Sequence, residues 1–298
     1  TVGFFLVPLF FSNIGIHKSR LNEKIFIGII SNILFLYIWN LFFPISRIGF
    51  FIFLGICFFF GFRFYSRDYI NSFLHDFSFI FFILVFIFSL WLGFLSNDYP
   101  RSSDLSRYHL QVMKLAEDYA LIKGVGNLYF GLAFSCSSWL LTTQFNTLFT
   151  TKLFIWTHGA IYLLLGFINF FIIPIFSNNN NKTENILRIL YFPILIHYCF
   201  KYFPGTSSDL PVLLYTAILS IYYFKYFYFR EQNFLDIIFI ISVLGISNKL
   251  TFGIVLIGLI PALIILIIDR IKLSTIIYRF PIWVALVTFI LWSYRNVI

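Results

Sequence analysis

A chain of 298 residues that is 60% apolar and only 11% charged, with a mean hydropathy of +0.90, carries more apolar surface than one water-facing domain can hide. Its formal net charge of +9 would suggest nucleic acid in a soluble protein. Beside apolar spans, cations are better explained by topology and anionic headgroups, so membrane lipids and no nucleic acid are expected as partners. Three cysteines form no legible disulfide framework, and no CxxC or HExxH spacing marks a metal site.

A helical crossing needs about 20 mainly apolar residues. Runs of this kind predict spans near 1–16, 25–43, 48–62, 77–95, 153–176, 187–203, 210–229, 233–247, 251–268 and 281–294. The expected fold is all-α, a polytopic transmembrane helical bundle of about ten spans, with 1–298 forming a single membrane domain. Residues 1–16 lack the basic n-region and the small-residue cleavage site of a signal peptide. Thr1 already stands in an apolar run and Asn296-Val297-Ile298 directly follows one, so the sequence reads as a piece of a longer protein, truncated at its C-terminus.

The sizeable polar segment is 96–128, expected to be an extracytoplasmic loop. With this loop outside and the spans alternating, 12 of the 21 Lys and Arg residues fall inside. Leaving out the four in the loop makes the split 12 to 5, in keeping with the positive-inside rule. Residues 129–150 resist the scheme. They are apolar but carry Ser135, Ser137, Ser138, Thr142, Thr143, Gln144 and Asn146. A full span there would reverse everything downstream, so a re-entrant or interfacial segment is expected. Such backbone survives at membrane depth only inside protein or beside a watery cavity, which makes it a candidate wall for a site.

Within the loop, Pro100 and two serines precede Asp104, predicting a helix start. Leu105, Tyr108, Val112, Leu115 and Tyr119 recur at helical spacing, predicting an interfacial helix that lies in the membrane surface and ends at Gly124 and Gly126. Asp98, Asp104, Glu117 and Asp118 make this the densest acidic cluster of the chain, accompanied by His109 and four cations. Asp104 could be a general base, a metal ligand or merely a helix cap. His109 could be functional or structural, and the cations could hold a phosphate or lipid headgroups. Three polar breaks, Pro204 to Asp209, Ser247 to Thr251 and Ser293 to Asn296, fall on the same side in this topology and suggest one site.

Asp104 followed by Tyr108-His109-Leu110-Gln111, then Gly124-Val125-Gly126-Asn127-Leu128 and the Ser-rich stretch Phe134 to Trp139, resembles the outer loop of a poorly characterised family of bacterial multi-pass membrane proteins. That family is in turn similar to the GT-C superfamily, membrane glycosyltransferases that use polyprenyl-phosphate-linked sugars. The resemblance covers most of the chain in layout. It is residue by residue only in the loop, in Ser207-Ser208-Asp209 and in Arg295-Asn296.

The resemblance implies a polyprenyl-phosphate-linked sugar as donor, a glycan or lipid of the cell envelope as acceptor, and a place in the bacterial inner membrane. It gives Asp104 the acidic catalytic role, with His109 beside it in the motif. Lys249 or Arg295 would hold phosphate, with Arg101 and Arg107 as other candidates, and Tyr108, Gln111, Asn127 and Asp209 would contact substrate. No cofactor is expected. A divalent metal stays an open alternative, against which the lack of a DxD or ExD pair argues. About four spans precede the loop here, whereas in GT-C enzymes the acidic loop usually follows the first. A multi-span polysaccharide polymerase or ligase working through Arg101 and Arg107, or a lipid-linked sugar transporter, are the alternatives.

Overall fold

In a bilayer each unpaired backbone N–H or C=O costs several kcal/mol, so an apolar chain closes its hydrogen bonds along helices. A computed structural model describes residues 21–64, 79–96, 105–133, 136–148, 157–176, 182–203, 205–229, 232–253 and 280–297. The described residues are all-α, without strand. In chain order the helices are α1 (Leu21–Phe42), α2 (Arg47–Phe64), α3 (Phe79–Leu95), α4 (Leu110–Asp118), α5 (Ser137–Leu148), α6 (Thr157–Phe167), α7 (Ile173–Phe176), α8 (Lys182–Tyr202), α9 (Asp209–Phe229), α10 (Gln232–Asn248) and α11 (Phe280–Val297). A π-helical turn, Leu105–His109, leads into α4, and another, Ile168–Ile172, joins α6 to α7.

Helices therefore stand at the apolar runs near 25–43, 48–62, 77–95, 153–176, 187–203, 210–229, 233–247 and 281–294. The run at 1–16 and most of 251–268 lie outside the described residues. Three described stretches are long and apolar enough to cross a membrane: Ile25–Phe42, Thr157–Ile175 and Asp209–Phe229. Arg47–Phe59, Ile80–Leu95 and Phe234–Asn248 are shorter. Ten crossings are not reached among the described residues: some helices are too short, and α8, with 21 residues, is too polar. A helix of 17 residues, such as α3 or α10, rises about 26 Å against a hydrocarbon core of roughly 30 Å.

Helix α4 ties one end of the array together. Its carbonyl Ala116 O accepts from Ile45 N (2.8 Å) and from Asn40 Nδ2 (3.4 Å), at the corner where Pro44 separates α1 from α2. At its other end, His109 meets Thr206, just before α9 begins. Asp209 opens α9 and pairs with Lys249, just past α10. The C-terminal ends of α1 and α10 and the N-terminal ends of α2 and α9 thus share one end, called here the upper end. Helix α5 lies across it. Ser137 and Ser138 bond Ser247 and Asn248 at the end of α10, while Thr147 O accepts from Arg47 at the start of α2. With 12 residues, α5 rises about 18 Å and packs against α1, α2, α4, α6 and α10.

The predicted helix of the 96–128 loop needs two corrections. It ends at Asp118, where Tyr119 turns extended (φ −136°, ψ 154°), and not at Gly124 and Gly126. Gly124 serves a later turn with a left-handed φ of 76°, which a Cβ would strain. The apolar face of α4 does not lie open to lipid either. Val112 and Met113 are buried against Cys136 and Trp139, and Ala116 joins the main core.

At the opposite end, buried charges join α8, α9 and the second π-turn. Arg188 of α8 donates Nε and Nη2 to Glu184 Oε1 at 3.1 and 2.8 Å, and Nη1 to Asn169 O at 3.2 Å, a carbonyl in the second π-turn. Lys225 Nζ of α9 lies 3.5 Å from the same carboxylate oxygen, over the rings of Tyr222 and Phe234. Arg188 and Lys225, two of the 12 cations that the topology puts inside, are both wholly buried. Removing one partner of such a cluster strands the rest without solvent. Glu184→Ala is expected to cost about 3–5 kcal/mol, read as a large drop in the thermal aggregation midpoint of the detergent-solubilised chain. An unchanged midpoint would remove the cluster from the stabilising interactions.

Candidate functional site

The upper end gathers polar groups from four stretches of chain. The linker 203–209 is its centre. Ser207 Oγ accepts from Asp209 N (3.2 Å), a local turn that starts α9. Thr206 O accepts from Trp139 Nε1 (2.9 Å), and Thr206 Oγ1 meets His109 Nδ1 (2.9 Å). Ser207 O accepts from His158 Nε2 (3.1 Å). Three ring nitrogens, from the first π-turn, α5 and α6, therefore hold one short linker. π-Turns recur at functional sites, and this one re-aims His109 inward.

Because Ser207 O can only accept, His158 carries its proton on Nε2 when neutral, and Nδ1 accepts. The Thr142 hydroxyl lies 2.9 Å from that Nδ1 and 2.7 Å from Ser138 O, so its one proton has two acceptors. His109 is buried between Tyr108 (ring centroids 4.4 Å apart) and Trp139 (4.5 Å).

Helix α5 takes its N-terminal cap from a distant residue. Asn248 Oδ1 accepts from Ser138 N (3.1 Å) and from the Cys136 thiol (3.3 Å), while Asn248 Nδ2 donates to Leu244 O (2.6 Å). Burial pushes the Cys136 thiol up to about 11, the Ser138 hydrogen bond opposing. At the surface of this end, Lys249 Nζ lies 2.5 Å from Asp209 Oδ1, with the side chains 42% and 38% exposed. A pair this wet contributes about 0–1 kcal/mol. It sets a carboxylate at a helix N-terminus against a cation at a helix C-terminus.

Residues 1–298 match the family described as "Domain of unknown function (DUF8201)". The chain belongs to that family. No curated protein and no solved structure matches it.

In this DUF8201 chain, the expected site residues part into groups. Tyr108 and His109 meet the 203–209 linker and Trp139, and Asp209 meets Lys249, so these four stand in one region. Arg107, Gln111 and Asn127 are exposed on the loop. Arg295 ends α11 with Tyr37 as an electrostatic neighbour, and its Nη1 is buried without a hydrogen-bond partner among the described residues. Asp104 and Arg101 lie outside the described residues. Glu117 of the acidic cluster is only partly exposed; burial raises its carboxyl above the usual range, with Lys114 opposing at 3.8 Å. Among the described residues no group of three or more His, Cys, Asp or Glu is placed to hold a metal.

His158, Thr142, Thr206 and Asn248 were not singled out as individual site residues. His158 sits in what reads as an ordinary span, and only the unusual hydroxyl and amide content of 129–150 hinted at a polar wall. Cys136 is buried, and burial also disfavours its thiolate, the form that reacts. Maleimide at pH 7–8 is therefore expected to leave Cys136 unlabelled in the folded chain and to label it in denaturant, as read by peptide mass mapping. Asn248→Ala removes the distant cap, costing about 1 kcal/mol, and should speed that labelling. Equal rates in both chains would exclude the cap.

Proposed function

We propose that this protein is a GT-C-like membrane glycosyltransferase that moves a sugar from a polyprenyl-phosphate donor to an envelope glycan or lipid acceptor. The observation that carries the reading is the meeting of distant polar breaks at one end of the bundle. His109 reaches Thr206 across 97 residues, and Lys249 reaches Asp209 across 40. Such groups at helix ends are costly unless they face a cavity or a partner.

In this proposal the bundle makes about ten crossings of a bacterial inner membrane, with 96–128 outside and 129–150 re-entrant. Asp104 takes the proton of the acceptor hydroxyl. The new bond forms from that oxygen to the anomeric carbon as the bond from that carbon to phosphate breaks. Lys249 or Arg295 holds the departing phosphate, aided by Arg101 and Arg107, and stabilises the charge that develops on it. The buried His109 and Trp139, with the half-buried Tyr108, position the loop that carries Asp104.

A second reading, a lipid-linked sugar transporter, is favoured by one observation. Asn32, well inside α1, donates to Gln144 Oε1 at 2.6 Å, and Gln144 Nε2 and Asn146 Nδ2 have no hydrogen-bond partner among the described residues. Polar groups at that depth suit a path across the membrane.

Asp104→Asn is expected to abolish glycan transfer in membranes at unchanged protein level. Lys249→Met should reduce it by about two orders of magnitude, the scale of losing one charge-stabilising group. Normal transfer by Asp104→Asn would end the enzyme reading. Loss of sugar-lipid translocation in Asn32→Leu, with transfer by Asp104→Asn unaffected, would favour the transporter.

A further inference from the structure

Val112, Met113 and Ala116 of α4 are spent on the protein interior, yet the residues after the helix are apolar and open. Tyr119, Ile122 and Leu128 are exposed, Leu128 at 85%. In a water-facing loop these side chains would have nothing to do. Their position shows what lies beside them. Asn40 Nδ2 donates to Phe43 O (3.1 Å) and Tyr119 O (3.2 Å), and Leu121 N donates to Asn40 O (2.7 Å). The turn is thereby stitched to the α1–α2 corner, where Phe42, Phe43, Ile48 and Phe51 are exposed. Those residues continue the outward apolar face of α2, and α1 ends here as one of the three helices able to cross a membrane. Lys123 is exposed within the turn and Lys114 on α4, with Glu117, 3.8 Å from Lys114, and the exposed Asp118 as the nearby acids.

We propose that the turn from Tyr119 to Tyr129 is a membrane-interface anchor, inserted at the headgroup–acyl boundary of the leaflet reached by the end of α1. Ile122 and Leu128 enter the apolar side of that boundary. Lys123 extends to lipid phosphates, as long basic side chains do at such depths. The left-handed Gly124 reverses the chain between the two insertion points. The occupant is the bilayer itself, because the surface is continuous with the lipid-facing side of α1 and α2. The anchor holds α4, and with it the π-turn that carries His109, at a fixed height over the linker 203–209. This inference rests on the membrane reading of the bundle and not on glycosyl transfer.

The test uses the 298-residue chain in nanodiscs of phosphatidylcholine and phosphatidylglycerol, with Cys57 and Cys199 replaced by serine and the buried Cys136 kept. A nitroxide is placed singly by Ile122→Cys, Leu128→Cys, Phe51→Cys as the lipid reference and Lys114→Cys as the water reference. Power saturation then compares collision with oxygen and with a water-soluble nickel complex. The oxygen-to-nickel ratio at 122 and 128 is expected to exceed that at 114 several-fold and to approach that at 51. A ratio equal to that at 114 overturns the proposal, since the turn is then in water. Low collision with both reagents overturns it too, because a second copy of the chain or another protein then covers the turn. Both positions lie on the surface, and an elution profile matching the unsubstituted chain shows that each variant is folded.

Discussion

A short helix full of hydroxyl and amide side chains can lie inside an apolar bundle only if its hydrogen bonds close within the protein. Helix α5 meets most of that constraint, with Gln144 Nε2 and Asn146 Nδ2 left over among the described residues, and the upper end of the molecule is arranged around it. Thr142, Thr143 and Thr147 bond back to carbonyls of their own helix. Ser137 takes a bond from Ser247, Gln144 from Asn32, and Asn146 from Thr157. Each satisfied group fixes a neighbouring helix at a definite height. The polar content of α5 thus acts as the set of pins by which α1, α6 and α10 are located around the candidate site.

The two ends of the bundle use charge in different ways. At the end away from α5, Glu184, Arg188 and Lys225 are sealed from water, so each depends on the others, and the cluster holds α8 and α9 in place. At the upper end, Asp209 and Lys249 are wet. Exchange with water makes their bond cheap to break. The strong electrostatics of the described residues thus lie at the sealed end and this weak pair at the wet one. Between the two ends Gly166 allows α6 and α8 to close up: a Cβ there would stand 2.1 Å from the Leu195 side chain.

The position of the linker 203–209 follows from aromatic nitrogens rather than from its own sequence. Trp139, His109 and His158 come from three elements and donate to, or share protons with, two consecutive residues. A linker held in this way keeps Asp209 at the head of α9 and opposite Lys249, whatever the rest of the outer loop does. The same economy appears at Asn40, whose side-chain amide reaches carbonyls of Phe43, Ala116 and Tyr119 together. One residue at the end of α1 sets both the corner into α2 and the seat of α4.

The helices of the bundle were legible in the sequence, because apolar runs and the polar breaks between them are local properties and lipid leaves the backbone no other choice. The breaks at Asp209 and Lys249 were legible for the same reason, as was the oddity of 129–150. Which way a stripe faces was not. Val112 reads as lipid-facing by period alone, and it is buried because Trp139 and Cys136 arrive beneath it. Nor could a local reading pair Asn248 with Ser138, 110 residues apart, or draw Arg188 and Lys225 to one carboxylate. Sequence by itself determined where helices form, since that depends on neighbours in the chain. Only the tertiary structure decided which polar groups are buried and with whom, since burial and hydrogen bonding at these positions depend on residues that the chain brings together only after it has folded.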